Sequence, residues 1–313
     1  IGTDHHDILV GNAWDNTLEG GAGNDILYGD GLEYDNDSGF GTGAGEWDTN
    51  NPDAGPASDN SGIDTLKGGA GNDTLFGGAG GDNLDGGADT DTASYAKDGA
   101  GIAVDMSAGT DGKVTDGYGD IDTLTSIEKI IGSARNDTFK GDEGDDHTFD
   151  GNNGVDIVDY SGYTSGVTVT ISTTTRGSAT VTDGSSGTTT LSNIERLIGT
   201  SSADTFNLGK GSITVEGGGG ADVYVIDLGD DTQATILDSG GSDTLRITGA
   251  AAATDIKLVQ QGDHLFVLDK SGGDKHILAM IPDHFTVKGE KVDTLEIKHS
   301  SGGLLESKTL KAL

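Results

Sequence analysis

The chain has 313 residues, 53 of them acidic against 18 basic, for a formal net charge of −35. That charge excludes nucleic-acid backbones and anionic membranes as simple electrostatic partners, because both would repel it. It also repels itself, so a chain this acidic stays expanded unless cations are part of its fold. The 55 glycines follow no three-residue period and stand beside only 3 prolines, which excludes a collagen-like helix. There is no cysteine. In an oxidising compartment that leaves metal ions to do the cross-linking, or a chain that needs no staples. No run approaches the ~18 apolar residues of a membrane span. The N-terminus, IGTDHHDILVG, opens inside a repeat without a basic-then-apolar leader. The expectation is a piece of a longer protein, or export by another route.

Taken in order, the chain opens on degenerate nine-residue units: Gly2–Val10 with Asp7 at position six, then Gly11–Glu19 with Asn16 there. Gly20–Tyr28 (GGAGNDILY) has Gly at positions one, two and four, Asp25 at six and Leu27 at eight. A unit that starts at Gly29 closes only at Ser61–Lys67, with Asp64 at six; its turn holds an insertion from about Gly31 to Asn60. The insertion carries Tyr34, Phe40 and Trp47 among acids, so it reads either as a calcium-bridged aromatic platform for a sugar or as a solvated loop. Gly68–Ser94 then holds three consecutive units, GGAGNDTLF, GGAGGDNLD and GGADTDTAS, with Asp73, Asp82 and Asp91 at six.

This spacing has a physical reading. Glycine pairs open backbone conformations closed to other residues, so a six-residue turn can fold tightly and aim its carbonyls inward. Asp adds a hard anionic oxygen, and Ca²⁺ takes roughly 6–8 oxygen ligands. The last three residues make a short strand with its central apolar side chain pointing into a core. Two units complete one coil of a flattened parallel helix, which places sites between a unit and the unit two further on.

Beyond Ser94 a β-rich excursion, 95–131, interrupts the pattern before Gly132–Lys140 (Asp137), the overlong Gly141–Asp150 (Asp146) and Gly151–Asp159 (Asp156). The excursion then recurs over 160–198. Asp91 and Asp156, like Tyr95 and Tyr160, are offset by 65, whereas Glu128 and Glu195, like Asp137 and Asp204, are offset by 67. SIEKIIGSARNDTF thus returns as NIERLIGTSSADTF, a duplication. Thr168–Ser172 and Thr188–Leu191 are strand-like in composition, and only the short Ser126–Ile131 has helical spacing. A third block, 199–247, holds Gly199–Asn207 (Asp204), Leu208–Glu216 without an acid at six, Gly217–Val225 (Asp222) and the worn Asp238–Arg246 (Asp243). From 248 to 313, strands are expected at Asp255–Lys257, His264–Asp269, Lys275–Met280 and Asp293–Lys298. They would form a cap over the open last coil.

These residues make the sequence resemble the RTX proteins of Gram-negative bacteria, whose G-G-x-G-x-D-x-U-x nonapeptides bind calcium. The resemblance implies an all-β parallel β-roll with two excursions and a C-terminal β cap, divided 1–94, 95–131, 132–159, 160–198, 199–247 and 248–313. It implies calcium ligands from carbonyls at positions one, three and five and from the Asp at six. Unit by unit these are Asp7; Gly20, Ala22, Asn24 and Asp25; Asp64; Gly68, Ala70, Asn72 and Asp73; Gly77, Ala79, Gly81 and Asp82; Gly86, Ala88 and Asp91. Further on they are Asp137, Asp146, Asp156, Asp204, and Gly217, Gly219 and Asp222. Asn16, the extra residue in Gly141–Asp150 and the acid-free Leu208–Glu216 depart from the pattern. If units alternate faces, Asp7, Asp25, Asp73 and Asp91 line one side and Asp64, Asp82, Asp137 and Asp156 the other, with both excursions bulging from one roll.

The resemblance further implies several calcium ions as cofactors, the type I secretion machinery as a partner, folding outside the cell and an extracellular or cell-surface location. The tail Leu304–Leu313 resembles part of a secretion signal. None of the seven histidines lies in an H-E-x-x-H array and no G-x-S-x-G elbow occurs, so this chain is not expected to be an enzyme. Two readings stay open. One is a structural or adhesive segment of a surface adhesin or surface-layer protein. The other is an accessory module of a secreted lyase, epimerase, protease or lipase that holds carbohydrate, such as acidic polysaccharide, through bound calcium.

Overall fold

The computed structural model describes residues 1–12, 14–30, 62–107, 111–175, 177–270, 276–285 and 292–310. The proposed sugar platform around Tyr34, Phe40 and Trp47 therefore lies outside the described residues, as does the end of the tail. The described residues contain strands and one short 3₁₀ turn, Ala253–Asp255, and no α-helix. The chain divides into two compact units, Ile1–Phe139 with Thr148–Gly154, and Lys140–His147 with Val155–Leu313. Both are parallel β-rolls.

In the first unit the chain alternates between two sheets. Strands Ile8–Val10, Ile26–Tyr28, Thr74–Phe76, Thr92–Ser94 and Lys129–Ile131 lie side by side, all parallel. Thr17–Ala22, Thr65–Ala70, Asn83–Ala88 and Ile121–Thr125 do the same in the other sheet. The register aligns position eight throughout, so Leu9, Leu27, Leu75, Ala93 and Ile130 stack in one sheet and Leu18, Leu66, Leu84 and Leu124 in the other. From Leu27 and Leu66 onward these side chains are almost completely buried. Each fully buried leucine contributes about 2 kcal/mol.

Strands of one sheet are longer than the nonapeptide suggests. Thr17–Ala22, Thr65–Ala70 and Asn83–Ala88 run on through the glycine pair. Gly21, Gly69 and Gly87 align there at φ of 111°, 115° and 102°, values only glycine adopts without strain.

The excursions do not bulge. The first is a three-stranded antiparallel meander, Ala103–Asp105, Gly112–Thr115 and Ile121–Thr125, whose last strand pairs in parallel with Asn83–Ala88 and so extends the same sheet. The hairpin keeps the alternation of the pleat, so Val104, Val114 and Asp122 form one inward row, and Leu124 faces inward two residues further on. The segment Ser126–Ile131 forms the strand Lys129–Ile131 after a turn with Ser126 at φ 51°.

The second unit repeats the scheme. Val169, Phe206, Tyr224, Leu245 and Leu295 align in one sheet, and Val158, Leu197, Val215 and Ile236 in the other. Phe206 and Tyr224 stack with ring centroids 5.4 Å apart. The second excursion is again a meander, Thr168–Ile171, Ala179–Thr182 and Thr188–Ser192, set against Thr205–Leu208. At the far end Thr232–Leu237 pairs with His276–Ile281, which continues antiparallel to His264–Asp269 and Ile256–Gln261. Thr244–Ala250 pairs with Thr294–His299 and then Leu304–Thr309, an outermost strand exposed along its whole length.

Candidate calcium ladders

Each clean turn is built around a contact that only glycine permits. A Cβ on Gly20 would lie 2.3 Å from Asp25 Oδ2 and 2.6 Å from the carbonyl oxygen of Gly68. The position-six carboxylate of one unit and the position-one carbonyl two units on therefore converge on one point. The same convergence recurs at Gly29 (Asp64 Oδ2, Gly77 O), Gly68 (Asp73 Oδ2, Gly86 O) and Gly199 (Asp204 Oδ2, Gly217 O). At Gly86 the carbonyl comes instead from Ser126, beside Asp91 Oδ2.

The other carboxylate oxygen ties the coils together. In the first unit the Asp7 N–H donates to Asp25 Oδ1 at 2.8 Å, Asp25 to Asp73 at 2.6 Å, Asp73 to Asp91 at 2.7 Å and Asp91 to Glu128 Oε2 at 2.9 Å. A second ladder runs from Asn16 to Asp64, Asp82 and Asp122 at 2.7 to 2.8 Å. In the second unit Val167 donates to Asp204, Asp204 to Asp222 and Asp222 to Asp243 at 2.7 to 2.9 Å, and Asp156 donates to Glu195.

With Oδ1 so used, the Oδ2 atoms of Asp25, Asp64, Asp73, Asp82, Asp91, Asp122 and Asp222 are buried and meet no donor. All seven residues are at most 1 % exposed. A buried anionic oxygen without a donor is strongly disfavoured. Burial accordingly pushes the Asp82 carboxyl up to about 9 and those of Asp91 and Asp222 to about 7. Asp64, Asp73, Asp137 and Asp204 are raised for the same first reason. A row of hard, anionic and carbonyl oxygens with no other donor set suits Ca²⁺. The residues present fit that ion.

The expected site residues separate into groups. Asp25, Asp64 and Asp204 meet the carbonyls of Gly68, Gly77 and Gly217 in the way described, as Asp73 meets that of Gly86 and Asp91 that of Ser126. The Gly20 carbonyl lies beside Asp7 Oδ2, and Gly77 and Gly217 face the Oδ2 atoms of Asp82 and Asp222 without such a carbonyl. Gly86 presents its carbonyl to Gly68 and forms the next step itself. At position three the carbonyls of Ala70 and Ala88 accept from Gly23 and Gly71 N–H, while Ala22 donates to Thr3 and Ala79 to Asp30 Oδ2. Gly219, also at position three, donates its N–H to the Thr200 carbonyl, while at position five Asn72 N–H donates to Asn24 Oδ1 and the Gly81 site faces the Ile121 carbonyl.

Asp7 differs: its Oδ2 accepts both Thr3 N–H and Thr3 Oγ1, which hold its carboxyl below the ordinary range. Asp137 takes Ile102 N–H and Ser133 Oγ on Oδ1. It is Asp122, and not Asp137, that follows Asp82 in the ladder. Asp146 lies on the surface and accepts Thr188 N–H, whereas the neighbouring His147 is buried with Nε2 2.7 Å from Asp142 Oδ1. The overlong turn thus puts histidine, two residues before the inward Phe149, where other units have their acid.

Asp122, Glu128, Glu195 and Asp293 were not among the expected ligands. All four stand two residues before an inward apolar residue, Leu124, Ile130, Leu197 or Leu295. Gly117–Thr125 (GYGDIDTLT) is in retrospect a nonapeptide with its second glycine displaced. Trp14 is 79 % exposed.

The family described as the RTX calcium-binding nonapeptide repeat matches in four copies, over residues 1–31, 58–93, 122–158 and 198–233. The chain carries RTX calcium-binding repeats. Among curated proteins none matches it. The RTX repeats make this chain a β-roll that binds Ca²⁺ at multiple sites, a structural calcium-binding module of a secreted protein. The third match begins at Asp122, the ladder residue in the first excursion. No helix among the described residues is long and apolar enough to cross a membrane.

Proposed function

We propose that this RTX chain is an extracellular structural or adhesive segment that folds only when calcium fills its ladders after type I secretion from a Gram-negative cell. The observation that carries the reading is the row of buried, donor-free Oδ2 atoms on Asp25, Asp73 and Asp91 along one ladder and Asp64, Asp82 and Asp122 along the other. Each faces a carbonyl or ladder neighbour from the adjacent coil, so each would hold an ion between coils. Their mutual repulsion holds the metal-free chain open; calcium joins coil to coil and stiffens the roll. Binding to the folded state alone couples metal to stability. Asp25, Asp64, Asp73, Asp82, Asp91, Asp122, Asp204 and Asp222 are the ligands on which the reading rests.

Circular dichroism during a calcium titration tests it. A cooperative gain of β signal between micromolar and millimolar calcium is expected, and a metal-free chain with the full β signal would overturn the reading. Adhesion is tested separately, by retention of the purified calcium-loaded chain on cell-surface glycans. Calcium-dependent retention supports the adhesive role, while none with or without calcium leaves the accessory-module reading.

A further inference from the structure

Two units depart from glycine at position one, Leu208–Glu216 and Asp238–Arg246. In Asp238–Arg246 (DSGGSDTLR) that position is Asp238, so the turn gains a side chain at the point where other turns have room only for oxygens. Asp238 is 1 % exposed. One oxygen each from Asp222, Asp238 and Asp243 lie within 4.8 Å of one another. Asp222 Oδ2 is buried without a donor, and Asp222 N–H is committed to Asp243 Oδ1 at 2.9 Å. Asp238 is positioned from two sides, by Gly240 N–H on Oδ1 at 3.2 Å and by the buried Tyr224 hydroxyl on Oδ2 at 2.9 Å. That hydroxyl lies 2.1 Å from where a Cβ on Gly217 would be, so the glycine at 217 makes room for it.

We propose that Asp238 turns the Asp222–Asp243 ladder step into a three-carboxylate cation site that is the tightest Ca²⁺ site of the chain and also takes trivalent lanthanides. The nonapeptide pattern provides side-chain oxygens only at position six. Here a third carboxylate enters from position one, and among oxygen sites the affinity for Ca²⁺ rises with the number of charged ligands. Tyr224 acts as a positioning residue, holding Asp238 toward the other two. The proposal rests on the calcium reading of the ladders.

The test is terbium luminescence excited through tyrosine, together with calcium competition against a chelator, on the full chain. In the unaltered protein, sensitised emission should saturate with the first equivalent of Tb³⁺ and fall several-fold in Tyr224→Phe. Asp238→Gly restores the pattern residue, and Asp238→Asn keeps the volume. Either should weaken the tightest calcium site at least tenfold while the β signal at saturating calcium is unchanged. Variants whose calcium titrations superimpose on the unaltered chain would overturn the proposal, as would emission that rises only with later equivalents. A wild-type chain that binds no calcium would instead sink the ladder reading, so the two failures are distinct.

Discussion

The two excursions descend from one segment and have kept the same backbone while changing what it carries. Asp91 donates to Glu128 as Asp156 does to Glu195, and Ile102 to Asp137 as Val167 does to Asp204. Asp116 Oδ1 gathers the N–H groups of its turn in the first, and Asp183 Oδ1 does so in the second. The interior differs. The first copy places Asp122, continuing a ladder, near Asp98 and Asp116, and burial raises Asp98 and Asp122 to about 7, with the neighbouring acids adding to it. The second has Tyr163 and the buried Thr189 at the positions equivalent to Asp98 and Asp122.

The outer face differs too. Ala103, Thr115 and Ile121 form one cross-strand row and Asp105, Lys113 and Thr123 the other. Their counterparts are threonine throughout: Thr168, Thr182 and Thr188, then Thr170, Thr180 and Thr190. Main-chain hydrogen bonds hold the same meander in both copies, while the side chains bury Asp116 and Asp122 in the first and Thr189 in the second.

Calcium removal should separate the copies most. On chelation the whole chain is expected to lose its β signal. Hydrogen exchange along a calcium titration should show strands 103–125 gaining protection at higher calcium than strands 168–192. Equal midpoints would erase the distinction. Next comes a swap of the interior residue. Thr189→Asp buries a charge where no ladder receives it and should cost about 3 kcal/mol by chemical denaturation in calcium. Asp122→Thr takes the acceptor from Asp82 N–H and should cost about 2 kcal/mol. If Thr189→Asp were the milder change, the second copy would have retained a cation site.

The pH response has a definite sign. Asp82 at about 9, and Asp91, Asp98, Asp122 and Asp222 at about 7, all lie above the ordinary 3.8. The folded metal-free chain thus holds protons more tightly than the unfolded one. Its stability is fully present below pH 3.8 and is lost as pH rises through 7 to 9. More β signal at pH 5 than at pH 9 without calcium is expected, with the greater change in the first excursion. A flat profile would mean that the ladders are not strained. The smallest effect belongs to the outer faces: Lys113→Thr and Thr180→Lys should each shift stability by less than about 0.5 kcal/mol.

Much of this was legible in the residues. The nonapeptide spacing alone specified turn, strand and core position, because glycine at one, two and four and an acid at six meet purely local demands of φ and charge. The duplication was legible from its offsets, and strands His264–Asp269 and Asp293–Lys298 from composition. What sequence could not decide was which acids share a ladder. Asp122 lies 40 residues from Asp82 and Glu128 lies 37 from Asp91, separations that depend on how a meander folds back into a sheet.

Nor could it foresee that the excursions would extend the sheets, since that follows from strand pairing between distant segments. Asp146 shows the same limit: one extra residue in a turn moved it to the surface and buried His147. The sequence by itself determined a calcium-binding roll, because its repeats encode geometry and charge locally. Only the tertiary structure decided the order of the ladders and the convergence of Asp222, Asp238 and Asp243, because the first depends on segments such as Asp82 and Asp122, 40 residues apart, coming into register and the second on how one coil stacks on the next.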